Sequence, residues 1–176
     1  MSIISKKICL VGDFSVGKTS LIRRFVENKF SDRYLSTVGV KISRKSIEVE
    51  TAIAKQLVNL LIWDIEGQTK FQSIATSYLK GASGSIIVAD ITRPETLEHL
   101  QNHLTLFFSI NPQGLAMVAL NKSDLAVEEK LARIIQLYNF DGNPQVLATY
   151  VTSAKTGEYV EQMFKQLAEN LIKSTF

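Results

Sequence analysis

Several features that mark whole classes of protein are missing from this sequence. Cysteine is reduced to a single residue, Cys9, so no disulfide can form within the chain, and a reducing, cytoplasmic compartment is expected. Cys9 lies in the apolar run Ile8-Cys9-Leu10-Val11, which makes it a small core residue rather than a reactive thiol. No apolar run is long enough to span a bilayer. The opening residues Met1 to Lys7 lack a signal-peptide core, and Ser2 in place of Gly excludes N-myristoylation. The final residues, Lys173-Ser174-Thr175-Phe176, offer no cysteine for a prenyl group. A membrane is therefore expected to be reached only through a tail absent from this chain. Charge of one sign is scarce too. The net charge is +3, and the densest basic clusters are the doublets Lys6-Lys7, Arg23-Arg24 and Arg44-Lys45, so no nucleic-acid partner is expected.

What remains is ordinary globular material: 45% hydrophobic and 21% charged over 176 residues, with no repeat, linker or low-complexity tract. A single domain over 1–176 is expected, and nothing in the sequence argues for an oligomer, so it is expected as a monomer. Short β-like runs alternate with helical patterns. Strands are expected over Lys7 to Val11, Lys41 to Val49, Gln56 to Asp64, Ser85 to Ile91, Leu115 to Leu120 and Val146 to Val151. Helical spacing covers Gly17 to Val26, Gln68 to Lys80 more loosely, a stretch opening at a Thr92-Arg93-Pro94-Glu95 capping box, Ala126 to Tyr138, and Glu158 to Ile172. The short link between the second and third strands predicts a hairpin. The expected fold class is α/β: a six-stranded, mostly parallel sheet with one antiparallel strand and about five helices, in three layers. Ligands in such folds bind at the carboxyl ends of the strands.

The chemistry-bearing residues cluster in those loops. Gly12-Asp13-Phe14-Ser15-Val16-Gly17-Lys18-Thr19 has the phosphate-loop spacing of Gly, four residues, then Gly-Lys-Ser/Thr, set between a strand and a helix. Its glycines let backbone N–H groups turn toward phosphate oxygens, and the helix that follows presents its positive end. The nucleotide-binding stretch is thus Ser15, Val16, Gly17, Lys18, Thr19 and Ser20. Lys18 is expected to neutralise β- and γ-phosphate charge, and the Thr19 hydroxyl to ligate Mg²⁺. Asn121-Lys122-Ser123-Asp124 follows the fifth strand. The Asp124 carboxylate can accept from the ring N–H and exocyclic amine of guanine, a donor pair that adenine lacks. Thr152-Ser153-Ala154-Lys155 follows the last strand. A backbone N–H of Ser153 or Ala154 can meet the guanine carbonyl, and the stems of Lys122 and Lys155 can cover the base.

With these loops in order, the chain resembles a Ras-superfamily small GTPase over essentially its full length, and the Rab branch in particular. Val38-Gly39-Val40-Lys41-Ile42, Phe71-Gln72-Ser73-Ile74 and Tyr78-Leu79-Lys80-Gly81-Ala82 carry the Rab likeness, and Trp63-Asp64-Ile65-Glu66-Gly67-Gln68 matches the second switch. The resemblance implies that Thr37 ligates Mg²⁺ in the GTP state and that Asp64 holds it through water. It implies that the Gly67 amide senses the γ-phosphate and that Gln68 orients the attacking water, so that Gln68 and Lys18 are the catalytic pair. Phe30 then lies against guanine, and Tyr34 covers the phosphates. The implied function is a switch that hydrolyses GTP to GDP, regulates trafficking-type effectors, and meets effector, exchange-factor and GTPase-activating proteins through its switch segments. Ile42, Trp63 and Tyr78 would form the apolar patch those partners read.

Three departures stand out. Phe14 is bulky at a position usually small, Glu66 replaces a small residue, and no C-terminal cysteine is present. Phe14 and Glu66 leave open an alternative, a pseudo-GTPase that holds nucleotide with little hydrolysis. His99 and His103, one helical turn apart, have a spacing that could bind Zn²⁺ but lack an evident third ligand, and a solvated or packed helix face is the expected reading.

Overall fold

The structure is a computed structural model that describes residues 3–33, 37–65, 67 and 72–173. Strand β1 (Ile3–Gly12) sets the layering by alternation. Its Ile8 and Leu10 enter one hydrophobic core and its Cys9 and Val11 the other, as period-two side chains must. Burial pushes the Cys9 thiol up to about 12, which makes it inert, as its sequence context predicts.

Helix α1 (Lys18–Glu27) follows, then the antiparallel hairpin of β2 (Val40–Glu50) and β3 (Lys55–Ile65). Thr51 closes that hairpin. Its hydroxyl donates to the Ala54 carbonyl at 2.6 Å and accepts from the Ala54 amide at 3.1 Å. The chain continues through α2 (Gln72–Leu79), β4 (Gly84–Asp90), α3 (Pro94–Glu98), α4 (Leu100–Ile110), β5 (Leu115–Asn121), a 3₁₀ turn at Ser123–Leu125, α5 (Glu128–Leu137), β6 (Val146–Val151) and α6 (Val160–Lys173).

The sheet order is β2-β3-β1-β4-β5-β6, and only β2–β3 is antiparallel. This is the expected three-layer α/β fold. All seven β4 residues are buried, as a central parallel strand covered on both faces requires. One core joins Leu21, Ile22 and Phe25 of α1 to Phe164, Leu167 and Leu171 of α6. Phe25 and Phe164 stack there, with ring centroids 4.1 Å apart and planes 1° apart. The opposite core packs Leu79, Leu100, Leu104, Phe107 and Ile134 against the other sheet face.

Two details differ from expectation. The capping box is not formed: Arg93 is the N-cap, without a side-chain cap, and the Thr92 hydroxyl instead donates to Asp90 Oδ1 at 2.6 Å. The helical stretch behind it is interrupted at His99, where α3 gives way directly to α4. The loosely helical Gln68 to Lys80 is a helix over Gln72–Leu79, and residues 68–71 lie outside the described residues. Among the described residues, no helix is long and apolar enough to cross a membrane.

Candidate functional site

The loops at the carboxyl ends of β1, β3, β5 and β6 meet around a cleft of about 300 Å³. Of the residues singled out from sequence, Ser15, Gly17, Lys18, Thr19, Ser20, Phe30, Thr37, Asp64, Gly67, Asn121, Lys122, Asp124, Ala154 and Lys155 line it. Val16 and Ser153 are buried just behind. Tyr34, Glu66 and Gln68 lie outside the described residues.

The phosphate loop is shaped by close approaches. A Cβ on Gly17, whose φ is +100°, would sit 2.3 Å from Asn121 Nδ2. That Asn121 amide donates to the Val16 carbonyl at 3.0 Å, while its Oδ1 accepts from the Thr152 hydroxyl at 3.2 Å. Lys122 Nζ donates to the Ser15 carbonyl at 3.0 Å. The residues expected to read a base therefore also hold the loop expected to take phosphate.

Lys18 is buried, and its ammonium donates to the carbonyls of Gly12 and Asp13, each at 2.8 Å. Burial lowers its pKa to about 8; Asp64 and Asp13 act to raise it and Arg93 to lower it further. A Cβ on Gly67 would sit 2.6 Å from Lys18 Nζ and from the Phe14 amide nitrogen, so no side chain fits between the second switch and the loop.

Beside Lys18, three oxygen-bearing side chains converge. Asp64 Oδ2 accepts from the Thr19 hydroxyl at 2.5 Å and from the Thr37 hydroxyl at 3.2 Å, and the two hydroxyls are 2.8 Å apart. Asp64 is buried, and its Oδ1 has no hydrogen-bond partner among the described residues. Desolvation holds its pKa above the ordinary carboxylate value, against the Thr19 hydrogen bond and the Lys18 charge. An orphaned, buried carboxylate oxygen among hard hydroxyl ligands fits a small divalent cation such as Mg²⁺.

At the other end, Asp124 Oδ1 accepts from the Ser153 hydroxyl at 2.7 Å, which leaves the rest of the carboxylate facing the cleft. Phe14 is among the residues that line the cleft, and it is a partly exposed one.

A profile of the Ras family matches residues 7–173. The chain belongs to the Ras family. It is 34% identical over 169 residues to the Ras-related protein Rab-13 of Canis lupus familiaris, covering 94% of this chain and 79% of that protein. It is 35% identical over 174 residues to Ras-related protein Rab-1C of Dictyostelium discoideum, covering 96% and 82%. It is also 32% identical over 167 residues to the GTP-binding protein ypt4 of Schizosaccharomyces pombe, covering 94% and 71%. This Ras-family chain is thus a Rab-like small GTPase.

Several structural supports of this GTPase were not found from sequence. Asp90, at the end of β4, is buried and pairs with Lys122 Nζ at 2.7 Å. Burial works to raise its pKa, but Lys122 and Thr92 outweigh burial and hold it below the ordinary value. Arg24 of α1 donates to the carbonyls of Ala154 at 2.8 Å and Lys155 at 2.6 Å, tying the last loop to the first helix. An Asp closing a buried strand was a visible signal for the first, whereas nothing local marked Arg24. His99, half exposed, and His103, largely packed, both reach back to the phosphate loop. His99 Nδ1 lies 2.6 Å from Asp13 Oδ2 and His103 Nε2 lies 2.7 Å from Asp13 Oδ1. Among the described residues no group of three His, Cys, Asp or Glu is arranged to hold a metal.

Proposed function

We propose that this GTPase is a switch that binds GTP with Mg²⁺, hydrolyses it to GDP and phosphate, and exposes different switch-segment surfaces in the two states. The observation that carries the reading is the Thr19–Thr37–Asp64 cluster with its orphaned Asp64 oxygen, because it joins the phosphate loop to the first and second switches at one point. Thr19, Thr37 and Asp64 would hold the cation, which when bound offsets charge on the β- and γ-phosphates.

The Lys18 ammonium leaves its carbonyl partners to meet the β- and γ-phosphate oxygens. The Gly67 amide senses the γ-phosphate. Gln68 orients a water for in-line attack on the γ-phosphorus; the bond to the β–γ bridging oxygen breaks, and GDP and phosphate leave. Thr37 is drawn in only while a γ-phosphate is present, so hydrolysis releases the first switch. Asp124 accepts from the guanine N–H and amine, the amide nitrogens of the last loop donate to its carbonyl, Phe30 lies against the base, and Tyr34 covers the phosphates.

Trafficking-type effectors, exchange factors and GTPase-activating proteins would meet the switch segments in the cytoplasm. Ile42 pairs in register with Trp63, and Trp63 lies 6.3 Å from Tyr78, which supports one continuous apolar patch. Replacing Asp124 with Asn tests the base assignment: retention of labelled xanthosine diphosphate should rise and that of GDP fall by about 10²-fold or more. Unchanged selectivity would remove Asp124 as the reader of the base.

A second reading, a nucleotide holder that barely hydrolyses, is favoured by one observation. Phe14 occupies the cleft wall beside Gly67, where a catalytic glutamine and a partner's arginine must fit.

A further inference from the structure

The phosphate loop carries a charge of the wrong sign. Asp13 directly follows Gly12, and its main chain touches the two groups most tied to phosphate. Its carbonyl holds Lys18 Nζ at 2.8 Å, and a Cβ on Gly67 would meet its carbonyl carbon at 2.6 Å. A carboxylate free to swing there would repel a nucleotide's phosphates. Instead both carboxylate oxygens are occupied, Oδ2 by His99 Nδ1 at 2.6 Å and Oδ1 by His103 Nε2 at 2.7 Å, and the side chain is 19% exposed. His99 is the residue at which α3 gives way to α4. The same helical segment holds the next residue of the loop, because Arg93 Nη1 donates to the Phe14 carbonyl at 2.7 Å.

We infer that His99 and His103 are positioning residues: by holding Asp13 they fix the phosphate loop in its nucleotide-accepting shape and couple nucleotide retention to the α3–α4 segment. The inference rests on reading this cleft as the guanine-nucleotide site. Neither histidine lines the cleft, so both act through Asp13.

The coupling has a sign. The ionisable groups around this latch are Asp13 on the loop, Lys18 on α1, Asp64 on β3 near Lys18, and Arg93 with its partner Glu95 on α3. Burial holds the His103 pKa below its ordinary value, Asp13 acts to raise it, and Lys18 and His99 lower it again. A bound nucleotide adds negative charge on the same side and favours the imidazolium. Linkage then requires a protonated His103 to favour bound nucleotide. Protonation of His103 also makes its hydrogen bond to Asp13 charge-assisted. Nucleotide release should therefore slow as pH falls and His103 takes up its proton.

The test is the dissociation rate of fluorescently labelled GDP in excess unlabelled GDP and Mg²⁺, from about pH 8 to about pH 5.5. The wild type should slow by several-fold toward acid. The double variant His99→Ala, His103→Ala should release GDP about fivefold or more faster at pH 7, the scale of one net hydrogen bond, and should lose the acid slope. A His99→Gln, His103→Gln protein keeps neutral donors, so it should regain much of the neutral-pH rate without the slope. If the alanine protein does not fold, Asp13→Asn tests the slope alone: it removes the carboxylate that holds His103, so the acid slope should be lost, and a slope equal to that of the wild type would overturn the latch. A wild type and variants sharing one pH profile would overturn the latch while leaving the nucleotide site intact. A wild type that retains no labelled GDP would remove both.

Discussion

At the scale of single residues, side chains that hold other side chains matter as much as those facing the cleft. Asp90 is the clearest case. It touches none of the cleft, yet it anchors Lys122, which in turn holds the Ser15 carbonyl. Asp90→Ala should destabilise the fold by about 1–3 kcal/mol at neutral pH, a figure that already discounts the partial exposure of Lys122. The sign with pH follows from the direction of its shift. The Asp90 pKa is held below the unfolded value near 3.8, so its contribution is complete above that value and fades as pH falls through the folded-state pKa. Urea unfolding of wild type and Asp90→Ala should show a gap at pH 7 that narrows near pH 3; a constant gap would mean that the lost interaction is not ionic. Phe14 makes the opposite kind of prediction. If the ring of this cleft-lining residue crowds the attacking geometry, Phe14→Gly should raise the intrinsic rate of GTP hydrolysis in single-turnover assays, and an equal rate would show that the ring is harmless.

The elements place these residues because their apolar patterns leave no other register. Helix α6 buries Val160, Met163, Phe164, Leu167, Ala168, Leu171 and Ile172, a run at helical spacing that clamps α1 through the Phe25–Phe164 stack. Since α1 begins at Lys18, that clamp sits under the phosphate loop. Phe164→Ala should cost about 3–5 kcal/mol, measured by denaturant midpoint at constant slope. A loss under 1 kcal/mol would mean that the two helices repack without the ring. Strand β1 was readable from its apolar centre but begins four residues earlier than expected, at Ile3. There its outer residues pair with β3 from Ile3↔Leu57 onward although they are polar, exposed or only partly buried. Burial pattern reveals the covered half of a strand, while ladder hydrogen bonds extend it past the core. The break between α3 and α4 has the same origin in tertiary context. Thr92 and Thr96 engage Asp90 and its backbone rather than capping the helix, and His99 turns to reach Asp13.

For the whole molecule, alternation of strands and helices was enough to predict the layers, the single antiparallel strand and the end of the sheet where the cleft opens. The cleft-lining motif residues were legible because each loop needs particular atoms within a few residues: glycines where a Cβ would strike Asn121, a lysine at the loop's end, an Asp beside a Ser. What sequence could not show were pairings between residues far apart in the chain, such as Asp13 with His103, Asp90 with Lys122, and Arg24 with Ala154. Such pairs depend on strand order and helix placement, and no pattern within one loop or helix says which distant residue it will meet.

The central claim is that these loops form a cycling switch, and single-turnover hydrolysis of GTP loaded onto the purified protein with Mg²⁺ tests it most directly. The account predicts a slow rate, about 10⁻⁴ to 10⁻³ s⁻¹ as for unassisted Ras-type enzymes, falling further in Gln68→Leu. GTP held stably with no phosphate released, and no difference between wild type and Gln68→Leu, would contradict it and leave a nucleotide-holding module in its place.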